Sequence, residues 1–589
     1  MGVGVWGRSE VGKDERPPPI PIPRPLLSSP PMTAERALRF WPVTLLLLLL
    51  PLWATGMFGR WYWTPDEPRE ADIAWNMVGQ TQKSVPLMAG TPFCEKPPLT
   101  YWTAGASMAL LGKSPAAARV PNLVWAMLSV LAIAWLAYAW AGPAAAIAAG
   151  IAVGTMALNA QVAWWLASDA PLVAGVCIAL LGAYRGLLAA TPGSKLTWYL
   201  VMHGGLLVGF LAKNIIAWVI PGLAICVFIA WDRRWRELLR IEPYVGLLLQ
   251  VIVLGPWIIA VADQADGMAH LKVFFYDNLV GRFIPVESAG NYQDGHKNWP
   301  FKYLVELPAF IAPWLFLAVA TVRRAWTGVR EDNLDRSAWR WAVCVFVPAT
   351  LLLTVSSTAR GIYLAPVLPG LALGLGLWAA RHLAEPDRLE RWCLWATAGL
   401  FATVGLLIGP ACLALIGYDG RGTDAGTILT IVVGGLAAGA LAVKLLWFQR
   451  HGHGPAMLFT AMLLVDVALL VAWRGAFPVL DRWQNLTPVM ARVAAVAENR
   501  PVITWQPDET TVSYLDYVAD LRLPGVTSRA ELRAKLEAEP RTVVFFRRRA
   551  GDVAEVAAEG LVETEVLTVP HGREYVLMAR PDAAAKPSP

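Results

Sequence analysis

Long apolar runs alternate with short polar, arginine-bearing loops over most of this 589-residue chain. A bilayer-crossing helix needs about 20 predominantly apolar residues. On that measure about thirteen spans are expected: 40–57, 118–140, 143–160, 170–190, 198–212, 214–231, 244–262, 304–322, 340–356, 362–380, 394–417, 426–447 and 456–473. The short alternating segments of a membrane barrel are missing from this pattern. Between the first two runs lies a polar loop, 58–117, which holds two shorter helical patterns. One covers 67–82, with Ile73, Ala74 and Met77 on one side, and the other covers 100–111. Both are too short to span and are expected to lie along the interface. From about residue 475 the period changes. Strand-like runs at 502–505, 542–546, 561–569 and 575–578 alternate with helical patterns at 528–537 and 552–559, which predicts a small α/β domain outside the membrane. The expected organisation is therefore a transmembrane domain over 32–474, an α/β domain over 475–580, and disordered tails at 1–31 and 581–589. Residues 1–31 are Pro-rich and without periodicity, and Met32 would serve as a start. The run from Val43 is read as an uncleaved first span.

Composition agrees with this class. Hydrophobic residues make up 56% and charged residues only 16%, against about 25% charged in soluble domains. The net charge of +6 is no nucleic-acid signal, because the arginines sit in short loops between apolar runs. With the amino end in the cytoplasm, the loops 232–243 (Arg233, Arg234, Arg236, Arg240), 323–339 (Arg323, Arg324, Arg330, Arg336) and 381–393 (Arg381, Arg388, Arg391) all fall inside, as the positive-inside rule requires. The loops 58–117, 161–169, 263–303 and 357–361, the turn at Lys213 and the C-terminal domain then fall outside.

The residues with chemical potential gather on that outer side. Asp66-Glu67 with Arg69 is either the polar start of a helix or an acidic pair able to act as base or steady a positive charge. Glu95-Lys96-Pro97-Pro98 holds a lysine on a stiff segment, suited to a phosphate or simply paired to Glu95. Asp169 stands where one span ends and the next begins, and either caps a helix or serves the site. Lys213 lies between two apolar runs with no acid nearby in sequence. At membrane level such a lysine marks function or snorkels to headgroups. Arg360 and Tyr363 offer a cation and a phenol at another outer junction. Glu95 and His296 are an acceptable oxygen–nitrogen pair for zinc, with Cys94 as a third candidate. Cations and carboxylates together at a lipid–water boundary suit a phosphate-bearing lipid substrate.

These motifs resemble those of the polytopic glycosyltransferases of the GT-C fold, in the bacterial branch related to protein O-mannosyltransferases. The matching pieces are Asp66-Glu67-x-Arg69, Glu95-Lys96-Pro97-Pro98-Leu99-x-Tyr101-Trp102, Ala117-Ala118-Arg119-Val120-Pro121, Ser168-Asp169, Leu211-Ala212-Lys213 and Tyr363-Leu364-x-Pro366. The resemblance implies an α-helical integral membrane protein of the bacterial inner membrane. It would transfer a sugar, 4-amino-4-deoxy-L-arabinose or a related one, from an undecaprenyl-phosphate carrier to lipid A or another glycan or protein acceptor on the periplasmic side, with inversion. Membrane lipid is an expected partner and nucleic acid is not. By motif, Asp66, Glu67 and Asp169 would be catalytic. Arg69, Lys96, Lys213, Arg360 and Tyr363 would bind the carrier phosphate or substrate, and Glu95 and His296 would match a structural zinc pair, with no cofactor needed for the chemistry. The alternatives are a protein O-glycosyltransferase of the same fold and a transporter or flippase for a lipid-linked sugar; the latter predicts polar residues facing both sides. A purely structural loop would instead lose stability, not turnover, when its charges are removed. The chain departs from the family pattern at Glu70, where Tyr is common, at Arg360–Gly361, where Lys is common, and at Asn214-Ile215, where Gly-Pro usually follows the lysine.

Overall fold

The computed structural model describes residues 40–277, 299, 301–356 and 359–581. The amino-terminal tail, the tail after 581 and His296 lie outside the described residues.

Each of the thirteen apolar segments is helical. The first is α1 (Trp41–Met57). The polar loop after it holds α2 (Asp66–Gly79), a two-residue hairpin of β1 (Leu87–Met88) and β2 (Thr91–Pro92), and α3 (Leu99–Leu111). Next comes α4 (Pro115–Thr155), begun by Ser114, whose hydroxyl accepts from the Ala117 N–H, and by Pro115 in the first turn. The expected division of this stretch into two spans shows as a break at Ala141–Gly142, where Gly142 takes φ 76° ahead of Pro143. The bundle continues with α5 (Ala157–Trp164), α6 (Asp169–Leu188), α7 (Pro192–Lys213), α8 (Ile216–Trp231), α9 (Glu242–Ala262) and α10 (Gly267–Lys272). Two short helices, α11 (Lys302–Phe310) and α12 (Leu315–Gly328), stand where one span was expected and are bent by 115° to each other. Then follow α13 (Arg336–Val355), α14 (Leu368–His382), α15 (Arg388–Asp419), α16 (Ala425–Arg450) and α17 (Gly454–Gly475). Among the described residues, eight helices are long and apolar enough to cross a membrane, nine with the bent pair taken as one; α1 and α8 are apolar but shorter. The chain is a multi-pass membrane protein. Its centre is α14, in which every residue from Leu368 to Trp378 is buried.

One helix pair fixes the site. The helices α6 and α7 are antiparallel neighbours joined by a short turn, and glycines let their backbones touch. A Cβ on Gly175 would stand 2.4 Å from the Gly209 nitrogen, and one on Gly205 would stand 2.5 Å from the Ala179 nitrogen. Lipid offers no hydrophobic force to press helices together, so this close packing supplies the association. The start of α6 and the end of α7 are thereby held side by side.

The three arginine loops meet at one end of the bundle through Arg340–Asp232 at 2.6 Å, Arg381–Asp335 at 2.8 Å and Arg324–Glu390 at 2.6 Å. At this end Lys195, in the first turn of α7, donates to Glu237 at 2.8 Å and to the Gly186 carbonyl at the close of α6 at 3.1 Å.

Beyond α17 come α18 (Phe477–Gln484), α19 (Thr487–Ala497), β3 (Val502–Trp505), α20 (Glu509–Ala519), β4 (Gly525–Val526), α21 (Arg529–Ala538), β5 (Val543–Arg547), α22 (Asp552–Ala557), β6 (Val562–Val569) and β7 (Arg573–Ala579). The strands form one sheet in the order β4-β3-β5-β7-β6, parallel from β4 to β5 and antiparallel from β5 to β6. Strand alternation divides the core into two layers. Val543 and Phe545 pack with Met490 and Leu515 on one face, and Val544 and Phe546 pack with Leu532 and Val556 on the other. The helices α18, α19 and α20 are additional to the sequence expectation. Helix α20 had a readable start in Asp508, whose carboxylate accepts from the Thr511 N–H at 2.8 Å. It packs on α2, with the Tyr62 and Tyr517 hydroxyls 3.0 Å apart.

Candidate active site

The polar loop is folded around a buried carboxylate. Glu67 is 0% exposed. It accepts six hydrogen bonds: two each from Arg60 and Arg119, one from the Trp63 N–H at 2.8 Å and one from the Leu166 N–H at 3.0 Å. Burial alone would raise its pKa. Arg119 and then Arg60 outweigh burial and hold the carboxyl at about 2. With its oxygens filled from within the protein, Glu67 offers a substrate nothing. Its geometry is that of a positioning residue, which differs from the catalytic role expected of it. Arg60 and Arg119 were assigned no role from sequence. The visible signal was an arginine in the first turns of an apolar helix, since Arg119 within α4 needs a buried partner.

Asp66, one residue earlier, faces the other way. It accepts from Arg360 at 2.7 Å and from Arg69 at 3.2 Å. Burial pushes its carboxyl up, but Arg360, then Arg69 and Lys96, keep it below the usual range, so it is ionised at neutral pH. Arg69 also pairs with Glu70 at 3.2 Å and with Glu509 of α20. Glu70 in turn accepts from the Lys96 ammonium at 2.5 Å. Residues 359–363 are tied to α11, where Lys302 donates to the Ala359 carbonyl at 2.7 Å and the Tyr303 hydroxyl to that of Arg360 at 3.3 Å.

The second half of the cluster comes from the α6–α7 pair. Asp169 opens α6, Lys213 closes α7, and the ammonium donates to the carboxylate at 2.5 Å. Directly after Lys213 the chain turns at Asn214, with φ 67° and ψ −156°, a backbone region that glycine enters freely and other residues rarely. Its side-chain oxygen accepts from the Ile215 N–H at 2.7 Å and its amide donates to the Phe274 carbonyl. Asn214 thus does the turning where the family pattern has glycine. The Lys213 ammonium lies 5.1 Å from the centre of the Tyr363 ring, which links it to Arg360 three residues before.

The structure therefore brings together Asp66, Arg69, Lys96, Asp169, Lys213, Arg360 and Tyr363. Glu95 lies within electrostatic reach of Arg69, while His296 is outside the described residues. Among the described residues no three His, Cys, Asp or Glu side chains converge as metal ligands. Glu70 and Glu509 complete the cluster and were not expected in it. Glu70 is the residue at which the chain departs from the family pattern, and Glu509 is 440 positions from its partner.

Fold and cluster together define the class: a GT-C-type integral membrane protein, similar to glycosyltransferases that use polyprenyl-phosphate sugars. Residues 95–259 match the family model of the dolichyl-phosphate-mannose-protein mannosyltransferases. Over 492 residues the chain is 28% identical to the undecaprenyl phosphate-alpha-4-amino-4-deoxy-L-arabinose arabinosyl transferase of Pseudomonas aeruginosa strain PAO1, covering 81% of this chain and 78% of that one. It is 25% identical over 468 residues to the transferase of the same name from Edwardsiella ictaluri, covering 78% and 81%. The structure superimposes on ArnT of Cupriavidus metallidurans bound to undecaprenyl phosphate with a TM-score of 0.69 at 19% identity, over 93% of this chain and 99% of that one.

Proposed function

We propose that the protein transfers 4-amino-4-deoxy-L-arabinose from undecaprenyl phosphate to lipid A, at the periplasmic face of the inner membrane. The observation that carries this reading is the single cluster in which Lys96, Lys213 and Arg360 are each held against a carboxylate: Glu70, Asp169 and Asp66. Three cations gathered where helix ends meet suit a phosphate, and the carboxylates hold them in place until one arrives. The arginine loops gather at the far end of the bundle and support this side, since the positive-inside rule favours such loops in the cytoplasm.

The donor's carrier phosphate would exchange for these carboxylates as the partner of Lys96, Lys213 and Arg360. An acceptor oxygen attacks the anomeric carbon as the bond from that carbon to the carrier phosphate breaks, and the electron pair leaves on the phosphate. The cations stabilise the charge developing there, a contribution worth far more in a water-excluded site than in water. A lipid A phosphate oxygen attacks as an anion and needs no base, so Asp66 and Asp169 orient the sugar and steady its oxocarbenium-like carbon. With a hydroxyl acceptor, Asp66, already ionised, takes the proton. Tyr363 keeps Lys213 and Arg360 in register. A zinc ion held by Glu95 and His296 would brace the loop without taking part in bond breaking.

The test is mass analysis of lipid A from membranes carrying the protein, together with turnover of the undecaprenyl-phosphate aminosugar by wild type, Asp66→Ala and Lys96→Ala. The expected result is an added aminopentose on lipid A with wild type and its loss in both variants. Lipid A of unchanged mass, or full activity in both variants, overturns the reading.

A further inference from the structure

The two helices that carry Asp169 and Lys213 also build a second polar site at their other ends. From Asp169 to Arg185 is sixteen residues of α6, or about 24 Å at 1.5 Å per residue. There the close of α6, the start of α7, the end of the first half of α4, the arginine loop after α8 and the start of α13 enclose a cavity of about 320 Å³. This is many times the space a single water needs and is ample for a phosphate group.

Its charge is positive. Arg185 and Arg234 both line it. Among the described residues Arg185 forms no ion pair; its guanidinium lies over the Trp198 ring at 4.9 Å. Arg234 reaches Asp232 only at 3.5 Å, and that carboxylate is engaged by Arg340 at 2.6 Å. The one acid in the lining, Asp335, is neutralised by Arg381 through two bonds of 2.8 Å. The hydroxyls of Ser194 and Ser337 supply donors beside the two guanidinium groups, Ser337 also accepting from Tyr184 at 3.3 Å.

The surroundings are apolar. Trp198 packs edge-on against Trp135, at 6.1 Å between ring centres, and Trp135 is 51% exposed. On the other side Leu334 is 59% exposed. Indole rings at the end of a spanning helix, beside arginines, mark the headgroup level of a bilayer.

We propose that this cavity binds the phosphate headgroup of an anionic phospholipid in the leaflet opposite the active site, with Arg185 and Arg234 on the phosphate and the acyl chains along Trp135 and Trp198. A phosphodiester between two forked guanidinium groups makes charge-assisted hydrogen bonds, and basic pockets between spanning helices are suited to such headgroups. Occupancy would cross-link α6, α7 and α13 at the end remote from the chemistry and so stiffen the pair that aligns Asp169 with Lys213.

The test uses the full chain, delipidated in detergent, with native mass spectrometry and thermal melting on titration of phosphatidylglycerol, phosphatidylcholine of the same chains, or inorganic phosphate. Phosphatidylglycerol is expected to bind at least tenfold more tightly than phosphatidylcholine. Arg185→Gln and Arg234→Gln should each weaken it fivefold or more, with Arg185→Lys in between. Lys213→Met should leave it unchanged, which separates this site from the carrier-phosphate site. Should one glutamine variant fail to fold, the other, together with Arg185→Lys, carries the comparison. Equal binding of the two lipids, full binding by the glutamine variants, or an equal effect of inorganic phosphate alone would overturn the proposal, the last by showing a small-anion site instead.

Discussion

The Lys213 ammonium donates to the Asp169 carboxylate at 2.5 Å across the paired ends of two antiparallel helices. Neither residue has an oppositely charged neighbour in sequence, and each is set by its own helix: Asp169 in the first turn of α6, Lys213 in the last turn of α7. Both positions also favour the charge they carry, since the helix dipole is positive at the start and negative at the end. The pair is thus held ready by backbone geometry.

Replacing Lys213 by Met should lower turnover of the lipid-linked sugar by about 10²-fold, the size seen when one preorganised donor to a developing anion is removed. Asp169→Asn should also reduce it. Because the two side chains share one hydrogen bond, the double variant should lose less than the product of the single losses. Kinetics in proteoliposomes with all three variants check this, and strict multiplicativity would mean the residues act separately.

The adjacent residues Asp66 and Glu67 should fail in different ways. Glu67→Gln leaves the buried guanidinium groups of Arg60 and Arg119 without their charge partner, a loss of about 3–5 kcal/mol for a broken buried pair. A lower melting temperature and poor folded yield are expected. Asp66→Asn should melt like wild type and lose turnover. Melting curves and activities of the two purified variants separate a positioning role from a chemical one.

The contact between α2 and the C-terminal domain should depend on pH. Asp72 is buried, with Asp516 beside it, and Asn76 donates to both at 2.9 and 3.0 Å. Burial, then the neighbouring carboxylate, pushes the Asp72 carboxyl up to about 9. The folded protein therefore binds a proton that the unfolded chain, with its ordinary carboxyl, releases near pH 4. The sign is fixed by that difference: the stabilisation is full below about pH 4 and falls as pH rises through about 9. Hydrogen exchange in α20 should accelerate between pH 7 and 10 in wild type and less so in Asp72→Asn, after correction for the intrinsic pH dependence of exchange. Identical profiles would show that Asp72 is not protonated at neutral pH.

Two adjacent glycines of α7 should respond oppositely to alanine. A Cβ on Gly205 collides with the α6 backbone at 2.5 Å, whereas one on Gly204 meets nothing within 4 Å. Gly205→Ala should destabilise by about 1–3 kcal/mol through overpacking and reduce activity by parting Asp169 from Lys213. Gly204→Ala should be neutral or stabilise by about 0.4–1 kcal/mol through the unfolded chain. Thermal melting of both variants decides.

Much of this was legible in the residues alone. The apolar segments became helices because, in a bilayer, a segment of that length satisfies its own backbone hydrogen bonds only as a helix, and the two short helices of the polar loop formed within a few residues of their expected limits, at Asp66–Gly79 and Leu99–Leu111. That Asp66, Lys96, Asp169, Lys213, Arg360 and Tyr363 share one side followed from where the arginines stand. Helix α20 escaped notice because its β-branched and aromatic residues blur the helical period, and only its Asp508 cap marks it.

By itself, then, the sequence determined the class of protein, the apolar segments that form its long helices, and the grouping of its candidate site residues apart from the arginine loops, because those depend on local hydropathy and loop charge. Only the tertiary structure decided which acid meets which base: Glu70 with Lys96, Asp66 with Arg360, Glu509 with Arg69, and Glu67 withdrawn from the site by Arg60 and Arg119. Such pairings depend on distances between segments up to 440 positions apart in the chain, and periodicity records which face a side chain takes, never what stands opposite it.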